Sequence, residues 1–137
     1  MKPKEMPNLH LFFSHALTSE QVKDAQEKLG CKDIISLPYD LQQKWQQIPP
    51  EGELNNSIIK PFIYYLSHET EVGDYVLVQG EFGVSFMIVN WCLKNNRIPI
   101  YATTKRVVKE EKKPDGSVEK VTLFKHVQFR RYNEKNY

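Results

Sequence analysis

The chain has 137 residues, of which 40% are hydrophobic and 26% charged. That length and balance fit one globular domain with a real core, and exclude wholesale disorder, collagen-like repeats and a membrane span. The formal net charge is only +2, but residues 1–104 hold 9 Lys/Arg against 12 Asp/Glu while residues 105–137 hold 10 against 5. A basic C-terminal end suits an anionic partner such as phosphate or nucleic acid, or simply keeps a solvated β-arm from associating.

In chain order, residues 1–7 read as a tail, and residues 9–13 (LHLFF) as a strand followed by Ser14 and His15. Thr18 with Gln21 three positions on is a capping box. The helix behind it turns Val22, Ala25, Gln26 and Leu29 to one face and stops at Gly30. Residues 33–37 form a second strand closed by Pro38, and strand–helix–strand with short connections implies a parallel pair. Residues 41–48 are helical, with Leu41 and Trp45 facing the sheet, and end at Pro49-Pro50. A polar loop, 51–57, leads to a helix over 58–68 with Pro61 in its first turn, then a turn at Val72-Gly73-Asp74.

Residues 75–79 (YVLVQ) are the strongest strand signal, a continuous run suited to a sheet buried on both faces. Gly80 to Gly83 turn the chain into a helix over 84–94, and residues 98–103 are a fourth strand. From 104 to 132 a β-hairpin arm extends that strand around Pro114-Asp115-Gly116-Ser117. The reading is a single α/β domain over 1–137: a mostly parallel sheet flanked by helices, with a C-terminal hairpin. Cys31 and Cys92 fit no metal or redox spacing and read as core residues. No apolar segment follows the first residues, so a cytoplasmic location is expected.

In an open α/β sheet, ligands bind beyond the carboxyl ends of the strands where strand order reverses. With the first strand central, Ser14 and His15 face Gln79 and Gly80 across that crevice. Thr103, Thr104, Lys105 and Arg106 stand beside it. Gln79-Gly80-Glu81-Phe82-Gly83 lets backbone approach a ligand and points helix N–H groups at an anion. The same residues also suit a plain turn whose glycines supply positive φ, and Glu81 repels phosphate. It is not a dinucleotide fingerprint.

Thr103 to Arg106 offer two hydroxyls and two cations, able to hold a phosphodiester. His15 reads as a base, an orienting donor or a structural histidine. His126, between Lys125 and Val127, is placed to reach over a groove between two copies. Phe124, Phe129 and Tyr132 alternate with basic residues, as in a base-stacking surface or a half-buried strand. With no HExxH, CxxC or carboxylate cluster, no metal or cofactor is expected.

Together these segments resemble a small family encoded beside type III CRISPR systems. They are Leu11 to His15, Leu37-Pro38 with Leu41-Gln42 and Trp45, Gly73 to Gly83, Tyr101 to Arg106, and Phe124 to Arg130. The resemblance spans about residues 8–132. It implies a Rossmann-like domain akin to the CARF sensors of cyclic oligoadenylate, acting as a homodimer with the ligand across the two-fold axis. It further implies a ring nuclease that degrades this messenger, with the ligand-site role falling on Ser14, His15, Gln79, Gly80, Glu81, Phe82, Gly83, Thr103, Thr104, Lys105 and Arg106.

Cleavage by the nucleotide's own 2′-OH needs no metal. Lys105 or Arg106 then stabilises the developing charge and His15 serves as base or acid. No membrane and no DNA partner is expected. The alternatives are a non-catalytic protein that sequesters the ring, and a single-stranded RNA-binding module built on the hairpin.

Overall fold

The computed structural model describes residues 5–133, so the first four residues of the expected tail lie outside the described residues. The elements are β1 (Leu9–Phe13), α1 (Ser19–Glu27), β2 (Ile34–Ser36), α2 (Tyr39–Gln46), α3 (Asn56–Glu69), β3 (Tyr75–Gln79), α4 (Phe82–Lys94), β4 (Ile98–Lys112) and β5 (Val118–Arg131). They form one five-stranded sheet in the order β2-β1-β3-β4-β5. The first four strands are parallel and β5 runs antiparallel to β4.

The order follows from two opposite steps of the chain. From β1 it moves outward to β2 through α1. It then crosses back through α2 and α3 to place β3 on the other side of β1, and α4 carries it on to β4. Because parallel crossovers are right-handed, these opposite steps put α1 on one face and the other helices on the other face. Period-two alternation sorts the side chains accordingly. Leu9, Leu11, Leu77, Ile98 and Ile100 pack with Ala25 of α1. Phe12, Val76 and Val78 pack with Trp45, Phe62, Leu66, Val84 and Ile88 of the other three helices. This Rossmann-like, doubly wound architecture agrees with the reading of the sequence.

Caps decide where the helices begin. The Thr18–Gln21 box is formed in both directions, at 3.2 and 2.9 Å. Asn55 accepts from the N–H groups of Ser57 and Ile58, which starts α3 earlier than expected. Pro61 consequently lies in the second turn, inside the helix, and not in the first.

β4 is longer than the six-residue strand expected, because it runs unbroken into the arm. Between Thr103 and Thr104 the β4–β5 register slips: Thr103 faces Gln128 and Thr104 faces His126, leaving Val127 as the extra residue of a bulge. The arm root is held from both faces. His126 Nε2 lies 2.7 Å from Asp24 Oδ2 on α1. Tyr132 donates its hydroxyl to the Val78 carbonyl at 2.7 Å on the opposite face, its ring 4.8 Å from that of Tyr101. At the tip, Gly116 has φ of 87° and Ser117 donates to Asp115, the Pro-Asp-Gly-Ser turn read from the sequence.

Candidate functional site

The chain leaves β1 for β2 on one side and returns to β3 on the other, so strand order reverses between β1 and β3. Phe13 and Gln79 are in register at that point. Helix α2 fixes both tips. Gln42 Nε2 donates to the Phe13 carbonyl at 2.7 Å, Gln46 Nε2 to the Ser14 carbonyl at 3.2 Å, and Trp45 Nε1 to the Gln79 carbonyl at 3.2 Å. These donors sit at i, i+3 and i+4 on one helical face. The sequence reading assigned Trp45 to packing and gave the glutamines no role. Their spacing was the available signal, but the acceptors are carbonyls distant in sequence.

The Gln79 side chain joins the third tip to the others. Its Oε1 accepts the Ala102 N–H at 2.8 Å, where the β3–β4 ladder itself has ended at Leu77 and Ile100. Gln79 is thus a strap between strands. Beyond Ala102, Thr103 donates its hydroxyl to the Gln128 carbonyl at 3.1 Å. Thr104, Lys105 and Arg106 are exposed, and Arg106 stands roughly 13 Å along the strand from Ala102 at ~3.3 Å per residue. Alternation sends Lys105 to the α4 face and Arg106 to the α1 face, the side on which His126 meets Asp24. His15 is exposed, its ring edge-on to Phe13 at 5.5 Å, and Ser14 is half-buried.

Both glycines of the turn are explained by packing. Neither Gly80 nor Gly83 has positive φ. A Cβ on Gly80 would lie 2.6 Å from the Trp45 ring, and one on Gly83 2.5 Å from Leu54 Cδ1. Positive φ is therefore not why they are glycines. Glu81 caps α4: its Oε1 accepts the Val84 N–H at 2.8 Å. The helix end expected to greet an anion already carries the chain's own carboxylate, and the cap starts α4 two residues earlier than expected. Phe82 projects into solvent, 93% exposed.

Two clefts flank the tips. One of about 400 Å³ is lined by Phe13, Ser14, His15, Leu17, Ile34 and Gln42, among others. The other, of about 380 Å³, is lined by Gln79, Gly80, Phe82, Ser85, Phe86, Val89 and Tyr132. Neither includes Thr103, Thr104, Lys105 or Arg106. The structure thus brings Ser14, His15, Gln79 to Gly83 and Thr103 to Arg106 to one edge of the sheet, in two clefts and a neighbouring cationic strand. His126 belongs elsewhere: it faces α1, its side chain buried against Asp24 and Phe129, and does not reach over an open groove of its own chain.

A second polar cluster, at the opposite pole, went unnoticed in the sequence. His10 is buried in β1, its Nδ1 2.9 Å from the Tyr65 hydroxyl and its Nε2 3.6 Å from Asp74 Oδ2. Asp74 in turn accepts the N–H groups of Asn8 and Glu71. These bonds tie the starts of β1 and β3 together.

Fold and site define a doubly wound α/β protein whose strand tips meet at the switch point between β1 and β3. The chain belongs to the uncharacterized protein MJ1673 family, whose model matches residues 7–130. It is similar to the uncharacterized protein MJ1673 of Methanocaldococcus jannaschii, at 42% identity over 128 residues that cover 93% of this chain and 98% of that one. No solved structure matches the chain. Among the described residues, no helix is long and apolar enough to cross a membrane.

Proposed function

We propose that this chain is a homodimeric, metal-independent ring nuclease. It binds cyclic oligoadenylate, cyclic tetra-adenylate foremost, and opens the ring to switch off type III CRISPR antiviral signalling. One observation carries the reading: the tips of β1 and β3 and the cationic continuation of β4 share one edge of the sheet, strapped together by Gln42, Gln46, Trp45 and Gln79. That edge offers hydroxyls, cations and an imidazole to a phosphodiester. The resemblance to the CRISPR-linked family supplies the ligand class.

The chemistry requires positioning more than reactive side chains. A ribose 2′-oxygen attacks the adjacent phosphorus, and the P–O5′ bond breaks as the new P–O2′ bond forms. The 2′-OH proton goes to a base and the departing 5′-oxygen takes a proton. The product is a linear strand with a 2′,3′-cyclic phosphate and a 5′-OH, and no water is consumed. Lys105 or Arg106 stabilises the charge that builds on the phosphorane, and His15 moves the proton. A ring of four equivalent nucleotides contains a two-fold axis, so a two-fold dimer presents each group twice.

The test is incubation of purified protein with cyclic tetra-adenylate in EDTA, followed by chromatography. Linear products are expected. An intact ring after prolonged incubation at high protein concentration rejects catalysis. Tight binding without product assigns the chain to sequestration. Preference for linear RNA over the ring, with steep salt dependence, assigns it to single-strand binding.

A further inference from the structure

The distal arm is a two-stranded ribbon, and among the described residues no helix covers either of its faces. Val108 is 56%, Val118 59% and Phe124 70% exposed. A lone two-stranded ribbon is marginal in water, and apolar side chains along one face of it call for a covering surface. The body has an uncovered apolar patch of its own. Phe82 and Phe86 lie one turn apart at the start of α4, 93% and 69% exposed, on the wall of the cleft of about 380 Å³.

The arm and the body that bears Phe82 are opposite in charge. Residues 105–131 hold 9 Lys/Arg against 4 Asp/Glu, whereas residues 5–104 hold 7 against 12. Around Phe82 the carboxylates are local. Glu81 precedes it, and Leu54, next in the chain to Glu53, fills the space beside Gly83. On the arm, Phe124 is directly opposite Arg106 in the ladder. An aromatic beside a cation therefore matches an aromatic beside a carboxylate.

We infer that the arm of one subunit lies on the Phe82 and Phe86 face of a second copy of this chain, and that the second copy's arm returns the contact. The exposure of Phe82 and Phe124 shows that one chain does not satisfy both patches itself. A two-fold axis makes the contact twice and closes the assembly, so no filament grows. The inference rests on the paired-subunit reading above and names the surfaces that make the pair. It also brings Arg106 of each arm, on the same ribbon face as Phe124, to the Gly80 turn of the other subunit, so each notch is built from two chains.

Two variants, Phe86→Cys and Phe124→Cys, are made separately, mixed, and treated with a short bifunctional maleimide. Native Cys31 and Cys92 are buried, their thiols pushed up to about 11 and about 12, and stay out of the reaction. The mixture is expected to give a covalent pair that neither variant gives alone. Phe82→Lys is expected to weaken the dimer roughly tenfold or more in sedimentation. A stable dimer that neither cross-links in the mixture nor weakens with Phe82→Lys overturns the arm contact while leaving the ring-nuclease reading intact. A monomer at all concentrations overturns it too. A cross-linked pair without ring cleavage upholds the arm contact and rejects the proposed function.

Discussion

Gly80 sits where a side chain has no room. Its Cβ would meet the Trp45 ring at 2.6 Å, and that ring is buried and hydrogen-bonded to the Gln79 carbonyl. At Gly83 the obstacle is the methyl end of Leu54, the tip of a side chain that can turn away. Gly80→Ala is therefore expected to cost about 1–3 kcal/mol, and Gly83→Ala clearly less, by urea denaturation. Equal losses would refute the assignment of Gly80 to packing on Trp45. The sequence marked these glycines as a turn, but the atom each avoids lies on a distant element. Burial acts on single residues in another way. It is the main cause raising Cys31 to about 11 and Cys92 to about 12 from 9.0, and Tyr65 to about 12 from 10.0. Groups with raised values stabilise the fold fully below their unfolded values, and that contribution disappears as pH climbs through the folded ones. The melting temperature is expected to fall from about pH 9 upward, and less steeply in Cys92→Ala. The same slope in both proteins would show that the thiol is not responsible.

Among the elements, β1, β3 and α1 were legible because their signals are local: apolar runs, and a capping box three residues long. The starts of α3 and α4 were not. Asn55 is hidden in a polar loop, and Glu81 looked like a charge that repels phosphate when it is a cap. The arm root shows the same limit. His126 reads in the sequence as a residue that reaches over a groove between two copies, and its partner Asp24, 102 positions away, is not visible there. Asp24→Ala would leave the buried His126 ring without its partner, at a cost of about 1–3 kcal/mol. Amide exchange is expected to quicken around the bulge, at 125–129 and 102–105, while β1 and β3 keep their protection. Faster exchange confined to α1 would mean the bulge alone holds the arm.

At the scale of the molecule, sheet order was legible because short connections and right-handed crossovers leave few alternatives. The clamp on the arm root was not, since it depends on Asp24 and Val78 meeting residues of the C-terminal strand and its end. The position of the cations follows from both. Gln79 sets Ala102 level with the β3 tip, and β4 continues beyond it past the edge where Ser14 and His15 follow β1. A phosphate bound in the crevice would feel two positive charges set on opposite faces of one ribbon, only one of which can point at a given phosphorus. Removing the one that faces the reacting phosphate should therefore slow turnover far more than it weakens binding, because charge develops there only in the transition state. The other should act mainly on affinity and its salt dependence. Lys105→Ala and Arg106→Ala are expected to separate in this way, one lowering kcat about 10²-fold or more, the other mainly weakening the apparent Kd for the ring. Single-turnover cleavage and equilibrium binding at two salt concentrations distinguish them. Unchanged turnover in both variants would remove the β4 continuation from the chemistry and leave His15 and the β3 turn as the place to look.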